Sequence, residues 1–315
     1  MTDDPDVATV LVGTALDAGS DRVVAAARDL ARVLGARIRL LHAVIRLTDL
    51  SGAGGDAVHA HRQADAELAL AAQASRLGLG PLELAGTVCL EGPPHRALIE
   101  AARHGGADLI VVGAHEGLGL SGMFGSTASR VLRNATRPVL VVRGELGRPP
   151  KRVLAPVDLS PLSADAFRAG LALVEAWTAG SSGGAVEAEA LFVLTEADRR
   201  SHEAGKGGDA HAAAVASLAR FVAHHRGDFP GEIAERVVEG DPRSEILYRI
   251  GVSQPDLVVL GTHGRSGFEL LLLGSVAEGV VRETGCSSLV IPPDAALRAA
   301  LAREGGTRRP TFDRG

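Results

Sequence analysis

Short apolar runs alternate along this chain with longer segments in which apolar residues recur every three or four positions. In one longer segment Val23, Ala27 and Leu30 fall on one face of a helix, and in another Phe167 and Leu171 do so. The apolar runs that predict strands are 10–12, 39–44 and 84–90 in the first half and 153–157 and 191–194 in the second. Alternating strands and helices predict a parallel sheet with right-handed crossovers and helices on both faces.

The two halves of the chain repeat one another. The run Asp108–Gly113 returns as Asp256–Gly261, and Glu91-Gly92 returns as Glu239-Gly240 at the same separation of 148 residues. A repeat of this length indicates a duplicated domain rather than a solenoid unit. We therefore predict an N-terminal domain at 1–147, a C-terminal domain at 148–296 and a polar tail at 297–315.

The predicted fold class is α/β, with two doubly wound five-stranded parallel sheets of strand order 3-2-1-4-5 that resemble the Rossmann fold. The final apolar runs, 138–142 and 288–292, would be exposed edge strands in separate domains. We therefore expect the halves to pair through these strands as an intramolecular pseudo-dimer, and the sequence leaves a further homodimer open. A surface loop is expected at 202–209.

Composition limits the classes of partner. The formal net charge of -5 gives no electrostatic reason to expect nucleic acid or an anionic membrane. Two cysteines are too few for a disulfide framework, and the acidic start of the chain differs from a signal peptide. No apolar run reaches the roughly 18 residues that span a bilayer. The expected location is the cytoplasm.

The candidate chemistry begins at a glycine-rich segment in the second half. Gly261 ends a predicted strand and Gly264 follows after two residues, with His263 and Arg265 beside it. Glycine lets a ligand approach the backbone and allows positive φ. Ser275, eleven residues after Gly264, is predicted to be the N-cap of the next helix. Free amides and the positive end of the helix dipole suit a phosphate there.

A carboxylate is expected to face this segment. Asp158 lies at the carboxyl end of the first strand of the second half. In the order 3-2-1-4-5 the first and fourth strands are neighbours, and the crevice opens between their carboxyl ends. Asp158 can then accept from an amino group or a ribose hydroxyl while the glycine segment holds phosphates. This arrangement predicts a nucleotide site.

The sequence resembles the universal stress protein family in its tandem form, over residues 8–143 and 152–293. ATP-binding members carry glycine, two residues, glycine, nine residues, then glycine and Ser or Thr, and Gly261, Gly264, Gly274 and Ser275 match that pattern. The resemblance implies that Asp158 contacts adenosine and that backbone near Leu194 contributes. It also implies ATP, or else ADP or AMP, with Mg²⁺ able to accompany the phosphates, and a role in the stress response. The complete predicted site is Pro156, Val157, Asp158, Leu194, Gly261, His263, Gly264, Arg265, Gly274, Ser275 and Val276.

The first half departs from the family pattern. Ala15 stands where the second half has Asp158, and Glu116 replaces the second glycine. A carboxylate close to phosphates is repulsive. We expect a weak or empty second site, formed by Thr14, Gly113, Gly125, Ser126 and Thr127, where Ser126 and Thr127 retain the helix cap.

Three functional hypotheses remain open. The first is a non-enzymatic stress-response regulator or nucleotide sensor, in which a bound nucleotide changes a surface that an unidentified protein reads. The second is a slow ATPase or phosphotransferase that uses His263 or Asp158, and the third is an interaction module without nucleotide. No metal site is expected, since the histidine pairs His59 with His61 and His224 with His225 do not share a helix face.

Overall fold

The computed structural model describes residues 7–46, 53–114, 124–144, 146, 149–179, 185–205, 208–262 and 273–293. The strands of the first half are β1 (Thr9–Gly13), β2 (Arg37–Val44), β3 (Leu84–Glu91), β4 (Leu109–Gly113) and β5 (Val139–Val142). Those of the second half are β6 (Arg152–Val157), β7 (Glu187–Leu194), β8 (Ile233–Glu239), β9 (Leu257–Gly261) and β10 (Ser287–Ile291). The first-half helices are α1 (Ala18–Leu34), α2 (Ala53–Arg76), α3 (Pro94–His104) and α4 (Ser126–Asn134). The second-half helices are α5 (Pro161–Ala179), α6 (Glu196–Gly205), α7 (Ala210–His225), α8 (Pro242–Ser253) and α9 (Ser275–Glu283).

The strands form a single sheet in the order β3-β2-β1-β4-β5-β10-β9-β6-β7-β8. Counted within each half, that order is 3-2-1-4-5, so the predicted topology is confirmed in both copies. Neighbouring strands of the same half run parallel, for example Thr9 beside Arg37 in β1 and β2.

The halves join through their last strands, as predicted. β5 and β10 are antiparallel, with Leu140 opposite Leu289 and Val139 opposite Val290. Each of these four side chains is no more than 1% exposed. Pairing therefore turns two apolar edges into the centre of one sheet.

Side chains alternate between the two faces of the sheet. In β1, Val10 and Val12 belong to one apolar cluster and Leu11 to the other. Each cluster contains residues of both halves. Because helices cover both faces, successive strand residues are all buried, which explains the continuous apolar runs in the sequence.

Helix α6 corrects one expectation, since it covers the first part of the predicted loop at 202–209. No residue of α6 is buried, so there is no apolar periodicity that could have indicated it. Ion pairs stabilise it instead: Glu196 binds Arg199 and Arg200 at helical spacing. Among the helices of the described residues, none is both long enough and apolar enough to span a membrane.

Candidate functional site

The central strands of the second half separate towards their carboxyl ends. β6 pairs with β7 from Arg152 to Val157, whereas it pairs with β9 only at Val153 and Leu154. Pro156 lies in the part of β6 that is not paired with β9, and it has no N–H to donate to a neighbouring strand. The sheet is therefore open between β6 and β9 at the point where the strand order reverses, which is where α/β sheets bind ligands.

Asp158 lies on one side of this opening, in a turn that directly follows β6. Its backbone N–H donates to Ser163 Oγ at 3.1 Å, and its Oδ1 accepts the N–H of Ser160 at 2.9 Å. Leu159 between them has φ +64°, a left-handed conformation that completes the tight turn. The turn holds the Asp158 carboxyl group at the carboxyl end of β6, partly exposed.

The neck of the glycine segment lies on the other side of the opening. Gly261 ends β9, and the next residue, Thr262, donates its N–H to Ile291 O at 3.0 Å. Thr262 O in turn accepts the N–H of Gly274 at 2.7 Å, which joins the two ends of the segment. A Cβ at Gly274 would lie 3.2 Å from Thr262 O, so this close approach favours glycine. His263, Gly264 and Arg265 lie outside the described residues, and their roles stay predictions.

The N-cap predictions for Ser275 and Ser126 are wrong, because the glycine before each serine is the N-cap. Gly274 O accepts the N–H of Glu278 at 2.9 Å, and Gly125 O accepts that of Ser129 at 3.1 Å. Each serine is the first residue within the helix. Its side chain is therefore not at the N-cap position, from which a side chain can accept the N–H groups of the first turn.

Neither α4 nor α9 has a side-chain hydrogen bond at its N-cap. By contrast, an aspartate side chain caps α1, α7 and α8: Asp17, Asp209 and Asp241. The first-turn amides of α9, which include that of Val276, therefore lack the cap that those three helices have.

The remaining predicted contacts lie at the same edge of the sheet. Val157 is buried at the end of β6, and Leu194 is buried at the end of the neighbouring strand β7. Leu194 O accepts the N–H of Gly240 at 3.2 Å, so this carbonyl already holds the turn after β8. The structure thus brings Pro156, Val157, Asp158, Leu194, Gly261, Gly274, Ser275 and Val276 to the carboxyl ends of β6, β7 and β9.

The same frame recurs in the first half without the carboxylate. Ala15 donates its N–H to Ser20 Oγ at 2.9 Å, as Asp158 does to Ser163, and Leu16 has φ +63°. Gly113 ends β4, and Gly125 N donates to Ala114 O at 2.7 Å. Matching hydrogen bonds therefore establish Ala15 as the counterpart of Asp158. Glu116 lies outside the described residues.

The model of the universal stress protein family matches residues 7–143 and again 149–292. The chain belongs to the universal stress protein family. Universal stress protein A homolog 2 of Coxiella burnetii is 34% identical over 139 residues, which are 42% of this chain and 93% of that protein. A universal stress protein of Mycolicibacterium smegmatis is 31% identical over 206 residues, 63% of this chain and 65% of its own length.

Among solved structures, a universal stress protein from Archaeoglobus fulgidus has the same fold. Its TM-score is 0.64 at 18% identity, covering 91% of this chain and 98% of that one. At this level of identity the likeness concerns the fold, in agreement with the ten-stranded arrangement.

One network of hydrogen-bonded polar side chains in the first half of this universal stress protein was not predicted. Thr14 Oγ1 donates to Gln73 Oε1 at 3.0 Å, and Gln73 Nε2 donates to Asp21 Oδ1 at 2.7 Å. Arg76 completes the chain of contacts at 2.7 Å from both oxygens of Asp21. Burial raises the pKa of the Asp21 carboxyl, but the hydrogen bonds of Arg76 and Gln73 outweigh it, and the net pKa is lowered.

The second half has apolar residues at the corresponding positions. Val157 replaces Thr14, and Phe221 replaces Gln73 on the buried face of the helix. Phe221 packs against Phe167, with ring centroids 5.5 Å apart. The turn after the first strand is therefore tied to α2 by hydrogen bonds in the first half, whereas in the second half the matching positions belong to the apolar core. The sequence signal was Gln73 itself, a polar residue on the same helix face as Leu70 and Ala74.

Proposed function

We propose that the C-terminal half of this universal stress protein binds an adenine nucleotide, ATP or else ADP or AMP, in the cleft between β6 and β9. The observation that carries the proposal is the early end of their pairing, after Leu154. This opening lies between a partly exposed carboxylate, Asp158, and the neck of a glycine segment that matches the ATP-binding pattern of the family.

Each part of the cleft suits one part of the ligand. Asp158 can accept a hydrogen bond from a ribose hydroxyl or the adenine amino group, since an ionised carboxyl is an acceptor only. The amides at the start of α9, without a side-chain cap, suit phosphate oxygens, which the helix dipole also favours. Gly264 and Arg265 would complete the phosphate contacts, with Mg²⁺ accompanying the phosphates.

The N-terminal half, in this proposal, takes nucleotide weakly or not at all. Ala15 offers no carboxylate at the matching turn, although the turn itself is the same. Glu116 adds negative charge in the glycine segment, and like charges a few ångströms apart repel strongly where water is excluded. We expect one nucleotide per chain.

Binding without fast turnover is the activity we propose, as befits a stress-response regulator or sensor whose bound nucleotide is read by a partner protein. Release of bound nucleotide by heating the purified protein, followed by chromatography, would identify the natural ligand. Calorimetric titration of nucleotide-free protein with ATP then tests the site.

Two variants sharpen the test. Asp158→Ala should weaken ATP binding at least about tenfold, as expected for loss of a charged hydrogen bond of roughly 1.5–3 kcal/mol. Gly264→Glu should also weaken it strongly, because the added carboxylate would repel the phosphates. Glu187→Gln, a change of charge at the opposite end of β7, is the control and should bind as wild type does. Unchanged affinity in Asp158→Ala, with saturable binding in wild type, would place the nucleotide elsewhere.

A further inference from the structure

Helix α9, whose first turn belongs to the proposed nucleotide site, is held at both ends by arginines of the other half. Arg133 of α4 forms an ion pair with Glu278 in the first turn of α9. Arg143, which follows β5, donates from Nη2 to Val281 O at 3.0 Å and Arg282 O at 3.1 Å in the last turn. Both contacts cross the seam where the two halves join.

Within the described residues, first-half arginines contact α9 of the second half, but the equivalent second-half positions do not provide the same contacts to α4. The matched necks at Gly125 and Gly274 align Ser129 with Glu278 and Arg133 with Arg282. Arg282 therefore meets no carboxylate at the reciprocal position, because a serine stands there. In the same way Arg143, the residue after β5, corresponds in the other copy to Pro292, the residue after β10. The side chain of Pro292 has no hydrogen-bond donor. The arginine contacts therefore lie on the helix that follows the intact glycine pattern.

Glu278 needs such a partner if α9 is to bind an anion. A carboxylate in the first turn stabilises a helix by itself, but it competes with any phosphate that approaches the same amides. The Glu278 side chain is 19% exposed, so solvent screens its charge less than that of a surface residue. The guanidinium of Arg133 neutralises it from across the seam.

We propose that Arg133 is a positioning residue of the C-terminal nucleotide site, acting through Glu278 so that α9 can accept phosphate. This inference rests on the proposed function. In this account the N-terminal half, which is expected to bind nucleotide weakly or not at all, supplies the cation for the phosphate end of the C-terminal site.

The test compares two variants that break the same ion pair in the full-length protein. If Arg133 acts by neutralising Glu278, Arg133→Gln should weaken ATP binding roughly three- to tenfold, the range expected for a charge near a helix terminus. Glu278→Gln should bind ATP as tightly as wild type or more tightly, and the double variant should recover the affinity lost in Arg133→Gln. Arg282→Gln, with the same change of charge on an exposed face of α9, is the control and should change affinity less than about twofold.

The outcomes separate this inference from the proposed function. Equal losses in Arg133→Gln and Glu278→Gln, or no loss in Arg133→Gln, would overturn the role of Arg133 while leaving the nucleotide site in place. Absence of saturable ATP binding in wild type would overturn the proposed function and this inference with it. Unfolding curves of each variant at the titration temperature ensure that only folded protein is compared.

Discussion

Replacing Gly170 by alanine should destabilise the protein although alanine is the better helix former. Gly170 lies in the middle of α5, which packs directly on β9. A Cβ at this position would lie 2.2 Å from Val259 Cγ1 and 3.2 Å from both Val259 Cβ and Cγ2. Val259 is itself 3% exposed, so its side chain has little space to move.

The magnitude follows from two opposing effects. Alanine in a helix interior gains about 1 kcal/mol over glycine. Overpacking a filled core costs about 1–3 kcal/mol, and this contact is more than an ångström shorter than an ordinary carbon–carbon distance of about 3.5 Å. A contact this short puts the overpacking cost at the upper end of that range, about 2–3 kcal/mol, so we expect Gly170→Ala to lower the free energy of unfolding by about 1–2 kcal/mol.

Urea unfolding followed by tryptophan fluorescence is a suitable assay, because the single tryptophan, Trp177, is 1% exposed on the same helix. Gly251→Ala is the matched control: it lies in α8 with no atom within 4 Å of the added Cβ, and it should stabilise by up to about 1 kcal/mol. In the double variant Gly170→Ala/Val259→Ala the two losses should be less than additive, since the new methyl group fills space that Val259 vacates. If Gly170→Ala is as stable as Gly251→Ala, the close packing of α5 on β9 is refuted.

Two further predictions concern charges on the second half. Glu189→Gln should lower the free energy of unfolding by about 1–3 kcal/mol, because the partly buried Glu189 carboxylate makes a charged hydrogen bond with Arg249 and raises the pKa of that guanidinium. Glu196→Gln, at a solvent-exposed ion pair, should leave the free energy of unfolding almost unchanged in the same urea assay. Asp241→Ala removes the cap of α8 and should cost about 0.5–2 kcal/mol at neutral pH. The N–H of Ser244 lowers the pKa of the Asp241 carboxyl, so its stabilisation is complete above the unfolded-state pKa of about 4 and is lost as pH falls through the folded-state value. The difference between wild type and Asp241→Ala should therefore shrink in titrations below about pH 4, and a constant difference would contradict the role of the carboxylate.

The sequence allowed the topology to be predicted because apolar periodicity and the internal repeat are direct consequences of the buried parallel sheet. The pairing of β5 with β10 followed from the cost of leaving apolar edges exposed, without any specific contact being known. Asp158 and Gly261 could be placed at one edge because strand order alone fixes that relation.

Features that depend on tertiary contacts could not be read from the chain. Gly274, rather than Ser275, caps α9 because the neck hydrogen bond to Thr262 fixes where the helix begins. The sequence shows that Gln73 of one half corresponds to Phe221 of the other. It does not show that Gln73 bonds to Thr14 after the first strand, because that contact depends on how α2 packs on the sheet. The contact of Arg133 with Glu278 joins residues that are 145 apart in the sequence, and no local pattern encodes it.

Hydrogen–deuterium exchange with and without ATP tests the central claim most directly, because it reports on the backbone amides of both halves in one experiment. If the nucleotide occupies the cleft between β6 and β9, ATP should slow exchange around Asp158 and in the first turn of α9, at Ser275 and Val276. The first turn of α4, at Ser126 and Thr127, should be unaffected and serves as an internal control. Equal protection of both helices, or ATP binding that leaves Ser275 and Val276 unchanged, would contradict a single nucleotide site in the C-terminal half.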